Sequence, residues 1–217
     1  MLKKATTASI KTTVSKPTPL FSRLGALLLV IGMVVTFFIS QLIGVYIAGK
    51  LILPATKNAT MGDIFFFGSN DGTVVSLSII IGCVLLVAVS ALLIRVRGGN
   101  VRKYLALQPF SWSVGIGMLG LLLMFMIGSQ ALTYLLNESP LVFVDPLYQS
   151  VSSVWLLIFA MVIVAPIYEE LIFRGLLWSA IAEQFSNVAN AEHRGTIVAS
   201  LVTSVIFAVI HLQYGIY

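Results

Sequence analysis

The sequence predicts an all-α fold, a polytopic transmembrane helical bundle with about five spans. Three observations carry this. Of 217 residues, 59% are hydrophobic and only 10% are charged. An average soluble domain carries roughly 25% charged residues, so this chain has too few to clothe a water-facing surface. The mean hydropathy is +1.02. The charges also fall in clusters, separated by apolar runs of about 20 residues, the length a bilayer requires.

Residues 1–23 form a polar Ser/Thr/Lys tail with Pro17 and Pro19 and no acid, read as a disordered cytosolic segment. It loosely resembles an organelle transit peptide but is rich in Lys rather than Arg. The apolar run after it is too long for the core of a cleaved signal. Residues 24–217 read as one transmembrane domain, with spans at about 24–48, 74–94, 114–136, 151–174 and 196–217. The first loop, 49–73, holds Pro54, Gly62, Gly68 and Gly72, and its Ile64-Phe65-Phe66-Phe67 stretch is expected at headgroup level. A basic loop, 95–113, ends in Pro109 and Trp112. A short acidic loop, 137–150, carries Glu138 and Asp145. The fourth helix is expected to continue past Glu169, and a more polar stretch runs from Ser179 to Gly195. The sequence stops inside or at the end of the fifth span. No internal repeat and no second domain is visible.

Lys and Arg number five in the tail and four in the second loop, against two in the first loop and none in the third. The positive-inside rule then puts the N-terminus and the second loop in the cytoplasm. The fourth helix enters from outside and is expected to reach the cytoplasmic half near Glu169 and Arg174. The same rule accounts for the net charge of +5. No basic stripe is interleaved with aromatics, so nucleic acid is excluded as a partner; the partner is membrane lipid. The single cysteine, Cys83, lies in an apolar run and reads as a small core residue.

The informative segment is Ile167-Tyr168-Glu169-Glu170-Leu171-Ile172-Phe173-Arg174. It continues an apolar helix, so three ionisable groups sit at or near the edge of hydrocarbon. A charge at mid-bilayer costs roughly 2.5–3.5 kcal/mol on insertion scales, so such groups are functional by default. Glu170 and Arg174 are i and i+4 and can pair on one face. Glu169 is rotated by about 100° from Glu170 and stays available, partly desolvated, as a general base requires. Pro166 is expected to loosen the helix and free a carbonyl. A juxtamembrane charge cluster closing the span is the plainer alternative. On the next apolar helix, Phe207 and His211 share a face. His211 is either a histidine bonded between helices or the partner of Glu169 in polarising a water. His193 lies in a polar stretch and reads as a surface histidine. Catalytic zinc normally takes three protein ligands. The two candidate ligands, Glu169 and His211, leave metal dependence open, with a divalent ion such as zinc as the possible cofactor.

Glu169-Glu170-x-x-x-Arg174 followed by Phe207-x-x-x-His211 resembles the CPBP family, which comprises CAAX prenyl proteases and bacteriocin-processing or immunity proteins, also called Abi. Pro166, Phe173-Arg174-Gly175-Leu176-Leu177 and Phe207-Ala208 match its local context. The motif-bearing part is 160–217, and the first 150 residues match in hydropathy alone. The resemblance implies an intramembrane endopeptidase in a bacterial cytoplasmic membrane. Glu169 would activate water with help from His211, and Glu170 and Arg174 would complete the first motif. A protein or peptide substrate is implied, cleaved near a C-terminus and lipid-modified in the nearest analogy. The family's third motif, a His followed four residues later by Asn or Asp, has no counterpart before Tyr217. The chain is therefore expected to be a fragment of a longer member. The alternatives are an inactive truncated member acting in immunity or binding, and a small transporter using the same carboxylates as a relay.

Overall fold

In the computed structural model the described residues are 18–53, 60–109, 111–136, 144–185 and 191–211. Positions 1–17 of the tail, Pro54, Glu138 and the end of the fifth span after His211 lie outside them. Among the described residues every regular element is helical. In chain order they are α1 (Arg23–Ile52), α2 (Met61–Gly68), α3 (Gly72–Val96), α4 (Val101–Tyr104), α5 (Trp112–Leu136), α6 (Asp145–Ser150), α7 (Val154–Phe185) and α8 (Ala191–Ile210). Five of these, α1, α3, α5, α7 and α8, are long and apolar enough to cross a membrane. The chain is an integral membrane protein.

The starts of the helices follow their capping residues. The Ser22 hydroxyl accepts the Gly25 N–H at 3.1 Å ahead of α1, and the Asp71 carboxylate accepts the N–H groups of Thr73 and Val74 ahead of α3. These side chains satisfy donors that a helix leaves orphaned at its first turn. Short helices occupy all three stretches expected to be loops. In the first, Thr60 and Asp63 cap each other at the start of α2, and α2 turns Ile64 inward while Phe66 and Phe67 stay exposed.

Small residues bring α1 and α3 together. Ser40, Gly44 and Ala48 are buried on α1, and Ser78, Gly82, Leu86 and Ser90 on α3. A Cβ at Gly44 would lie 2.7 Å from the Ser78 carbonyl oxygen, so the two backbones approach as only glycine allows. The Ser76 and Ser90 hydroxyls donate one turn back, to the Gly72 and Leu86 carbonyls, and so enter the seam without unsatisfied groups. α7 completes the core, with Ile172, Phe173, Leu176 and Leu177 packed against Met33, Leu86 and Ile94. Cys83 is partly buried and packs against this cluster. Of α5, only Thr133 is buried.

Polar seams fasten both ends of α7. At its start, the Gly72 N–H donates to the Ser150 hydroxyl at 2.9 Å and the Ser152 N–H to the Thr73 hydroxyl at 2.8 Å. At its end, Glu183 accepts the Leu20 N–H at 3.0 Å and the Tyr104 hydroxyl at 3.3 Å, and Gln184 donates to the Phe21 carbonyl. Burial, and then the neighbouring Glu183 charge, push the Tyr104 phenol well above its ordinary range.

Two expectations are corrected. The fourth helix does not stop near residue 174; it runs through Arg174 into the polar stretch and ends at Phe185. Glu169 therefore sits at the middle of a 32-residue helix. The helix survives this far because its polar last turns find partners, Glu183 and Gln184 among them. His193 is exposed, but it lies within α8 rather than in a loop.

Candidate active site

α7 is not a uniform α-helix. It widens into π-helical turns at Phe159–Val164 and Glu170–Leu177, on either side of Pro166 and Glu169. The Ala165 N–H reaches the Ala160 carbonyl and the Trp178 N–H reaches the Phe173 carbonyl, each five residues back. Such turns are rare and recur at functional sites. Here they flank Pro166, which brings no N–H of its own to the ladder.

α8 runs back along α7 in a register set by contacts from end to end. A Cβ at Gly195 would lie 2.9 Å from the Ala182 carbonyl oxygen, so the helices nearly touch there. The Trp178 indole N–H donates to the Ser200 hydroxyl at 3.1 Å. Further on, the Phe173 and Phe207 rings meet edge to face, their centres 5.3 Å apart. The same register ends by setting His211 against Glu169, with Nε2 and Oε1 3.6 Å apart.

The imidazole is held from two sides. Its Nδ1 lies 2.7 Å from the Phe207 carbonyl oxygen, and its ring stacks on the Phe207 ring at 4.1 Å. A carbonyl only accepts, so Nδ1 carries the hydrogen and Nε2, toward Glu169, is the nitrogen that gains or loses a proton. Both residues of the Phe-x-x-x-His pattern thus have a physical role, one as histidine and one as its clamp.

Glu169 and His211 line a cavity of about 600 Å³ whose walls are mostly apolar, from Phe37 and Phe38 of α1, Ile79 of α3 and Met161 of α7. Their side chains are 19% and 24% exposed, so the pair is largely withdrawn yet still reachable. Glu170 and Arg174 are elsewhere. They pair with each other at 3.3 Å, their side chains are 59% and 72% exposed, and neither lines the cavity. Of the four residues singled out from the sequence, the fold brings two together and holds the other two apart as an ion pair. Gln41 of α1, which carries no motif, also lines the cavity.

A metal is poorly served by this donor set. Among the described residues no three His, Cys, Asp or Glu side chains converge as a metal would require. Glu169 and His211 fall one ligand short of the three protein ligands usual for catalytic zinc. What the pair does support is proton handling: a carboxylate and an imidazole nitrogen facing each other at slightly more than hydrogen-bond distance, inside an apolar cavity.

Searches of curated proteins and of solved structures each find no match to this chain. Residues 151–217, which carry the Glu169–His211 pair and both motifs, match the family model "Type II CAAX prenyl endopeptidase Rce1-like", in agreement with the CPBP/CAAX protease family that the motifs resemble.

Proposed function

We propose that the protein is an intramembrane endopeptidase of the CAAX type, with Glu169 as general base and His211 as its partner. The carrying observation is the Glu169–His211 contact of 3.6 Å in an apolar cavity within the membrane-spanning bundle. A water beside the pair, hydrogen-bonded to both groups, would lose a proton to the Glu169 carboxylate as its oxygen attacks the scissile carbonyl carbon. Collapse of the tetrahedral species breaks the C–N bond, and the proton on Glu169 is returned to the leaving amine, directly or by way of His211 Nε2. Overall, one water adds across one peptide bond. Positioned acid–base groups of this kind contribute about 10²–10⁴-fold in rate, and the apolar walls of the cavity strengthen each charge interaction. The family match of residues 151–217 supports a peptidase and suggests a prenylated C-terminal segment as substrate.

The test is cleavage of a fluorescent farnesylated CAAX peptide by the chain in liposomes. Glu169→Gln and His211→Ala are each expected to lower kcat by at least about 10². Wild-type cleavage by both variants would rule out this function.

A further inference from the structure

Besides Tyr168, Glu169 and His211, the cavity receives one polar side chain from outside the family-matched segment. Gln41 lies on α1 one turn after Phe37 and Phe38, in a helix that is otherwise strongly apolar. Among the described residues its amide makes no hydrogen bond to protein, and none of the deeply buried side-chain polar atoms lacks a partner. The Gln41 amide is therefore not sealed in the helix seam, and the residue lines the cavity. Across from it, Gly82 of α3 leaves the room it occupies: a Cβ there would lie 3.2 Å from Gln41 Nε2. A primary amide in apolar surroundings is costly unless something bonds to it.

We infer that Gln41 is a peptide-amide-binding subsite, hydrogen-bonding the backbone of the substrate segment beside the bond that Glu169 and His211 act on. This rests on the peptidase function proposed above. A glutamine side chain offers one carbonyl acceptor and two N–H donors, which complement the N–H and C=O of an extended peptide. The other α1 and α3 groups lining the cavity, among them Phe37, Phe38, Val75 and Ile79, offer only apolar contact. Gln41 thus holds the chain by its backbone and adds affinity without choosing a side chain.

Gln41→Met keeps the length and volume of the side chain and removes its hydrogen bonds. In the Glu169→Gln background, where peptide stays intact, the Kd of the fluorescent farnesylated CAAX peptide is read by anisotropy in nanodiscs. Adding Gln41→Met is expected to weaken binding about tenfold and to leave the thermal unfolding midpoint unchanged, since no internal bond is lost. With Glu169 intact, the same change is expected to raise KM about tenfold and hold kcat within about threefold. An unchanged Kd, with or without a lower unfolding midpoint, makes Gln41 a packing residue and overturns the inference. Gln41→Leu answers the same question should the Met variant fail to fold. Cleavage retained by Glu169→Gln would defeat the role of Glu169 as base, and the Kd comparison would still decide Gln41.

Discussion

At the residue scale, adjacent glutamates have different surroundings. Glu169 faces a histidine across a cavity, whereas Glu170 turns outward to Arg174 at 3.3 Å. The i,i+4 spacing correctly pairs Glu170 with Arg174 even though this turn is π-helical. The spacing leaves open what Glu169 meets, since His211 approaches from another helix. Phe207 sets the imidazole by stacking at 4.1 Å and is itself braced by Phe173. Phe207→Leu keeps the carbonyl that accepts from Nδ1 and removes the stack. It is expected to lower kcat about tenfold while leaving peptide affinity near wild type, measured by steady-state cleavage in liposomes. An aromatic contact of this kind is worth about 0.5–1.5 kcal/mol beyond its buried area.

At the element scale, the α1–α3 seam depends on glycine. Gly44 has no room for a side chain against the Ser78 backbone, so Gly44→Leu must push two helices apart. The expected cost is about 1–3 kcal/mol, read as a lower unfolding midpoint in detergent. The seam was not legible from hydropathy, because α1 and α3 are strongly apolar throughout and the small residues at the contact give no hydropathy contrast. α2 makes a different point. Its start is held by the reciprocal bonds of Thr60 and Asp63, and the Thr60 hydroxyl, then the Thr60 N–H, hold the Asp63 carboxyl below its ordinary value of 3.8. A lowered folded value means that the stabilisation is present above pH 3.8 and is lost as pH falls through the lowered value. Amides of α2 are therefore expected to exchange faster at pH 3 than at pH 6, after correction for intrinsic rates, and Asp63→Asn is expected to abolish that difference.

At the scale of the whole molecule, the ends of α7 are tied to distant parts of the chain, and these ties place Glu169 at mid-helix. Glu183 joins Leu20, ahead of α1, to Tyr104 in the basic loop. Glu183→Ala leaves both donors without this acceptor and is expected to cost about 1–3 kcal/mol, seen as a lower unfolding midpoint with tyrosine absorbance as the local probe. The more polar stretch from Ser179 to Gly195 led to a span expected only as far as about residue 174; tertiary partners carry the helix on to Phe185. The sequence by itself determined the membrane as solvent, the number of long apolar helices and the two motif-bearing segments. Each follows from transfer energy or spacing summed over neighbouring residues. Only the tertiary structure decided which glutamate meets His211, that α7 carries π turns beside Pro166, and that Gln41 reaches the same cavity. Those outcomes depend on the register between helices far apart in the chain, which is set by packing and which no local window contains.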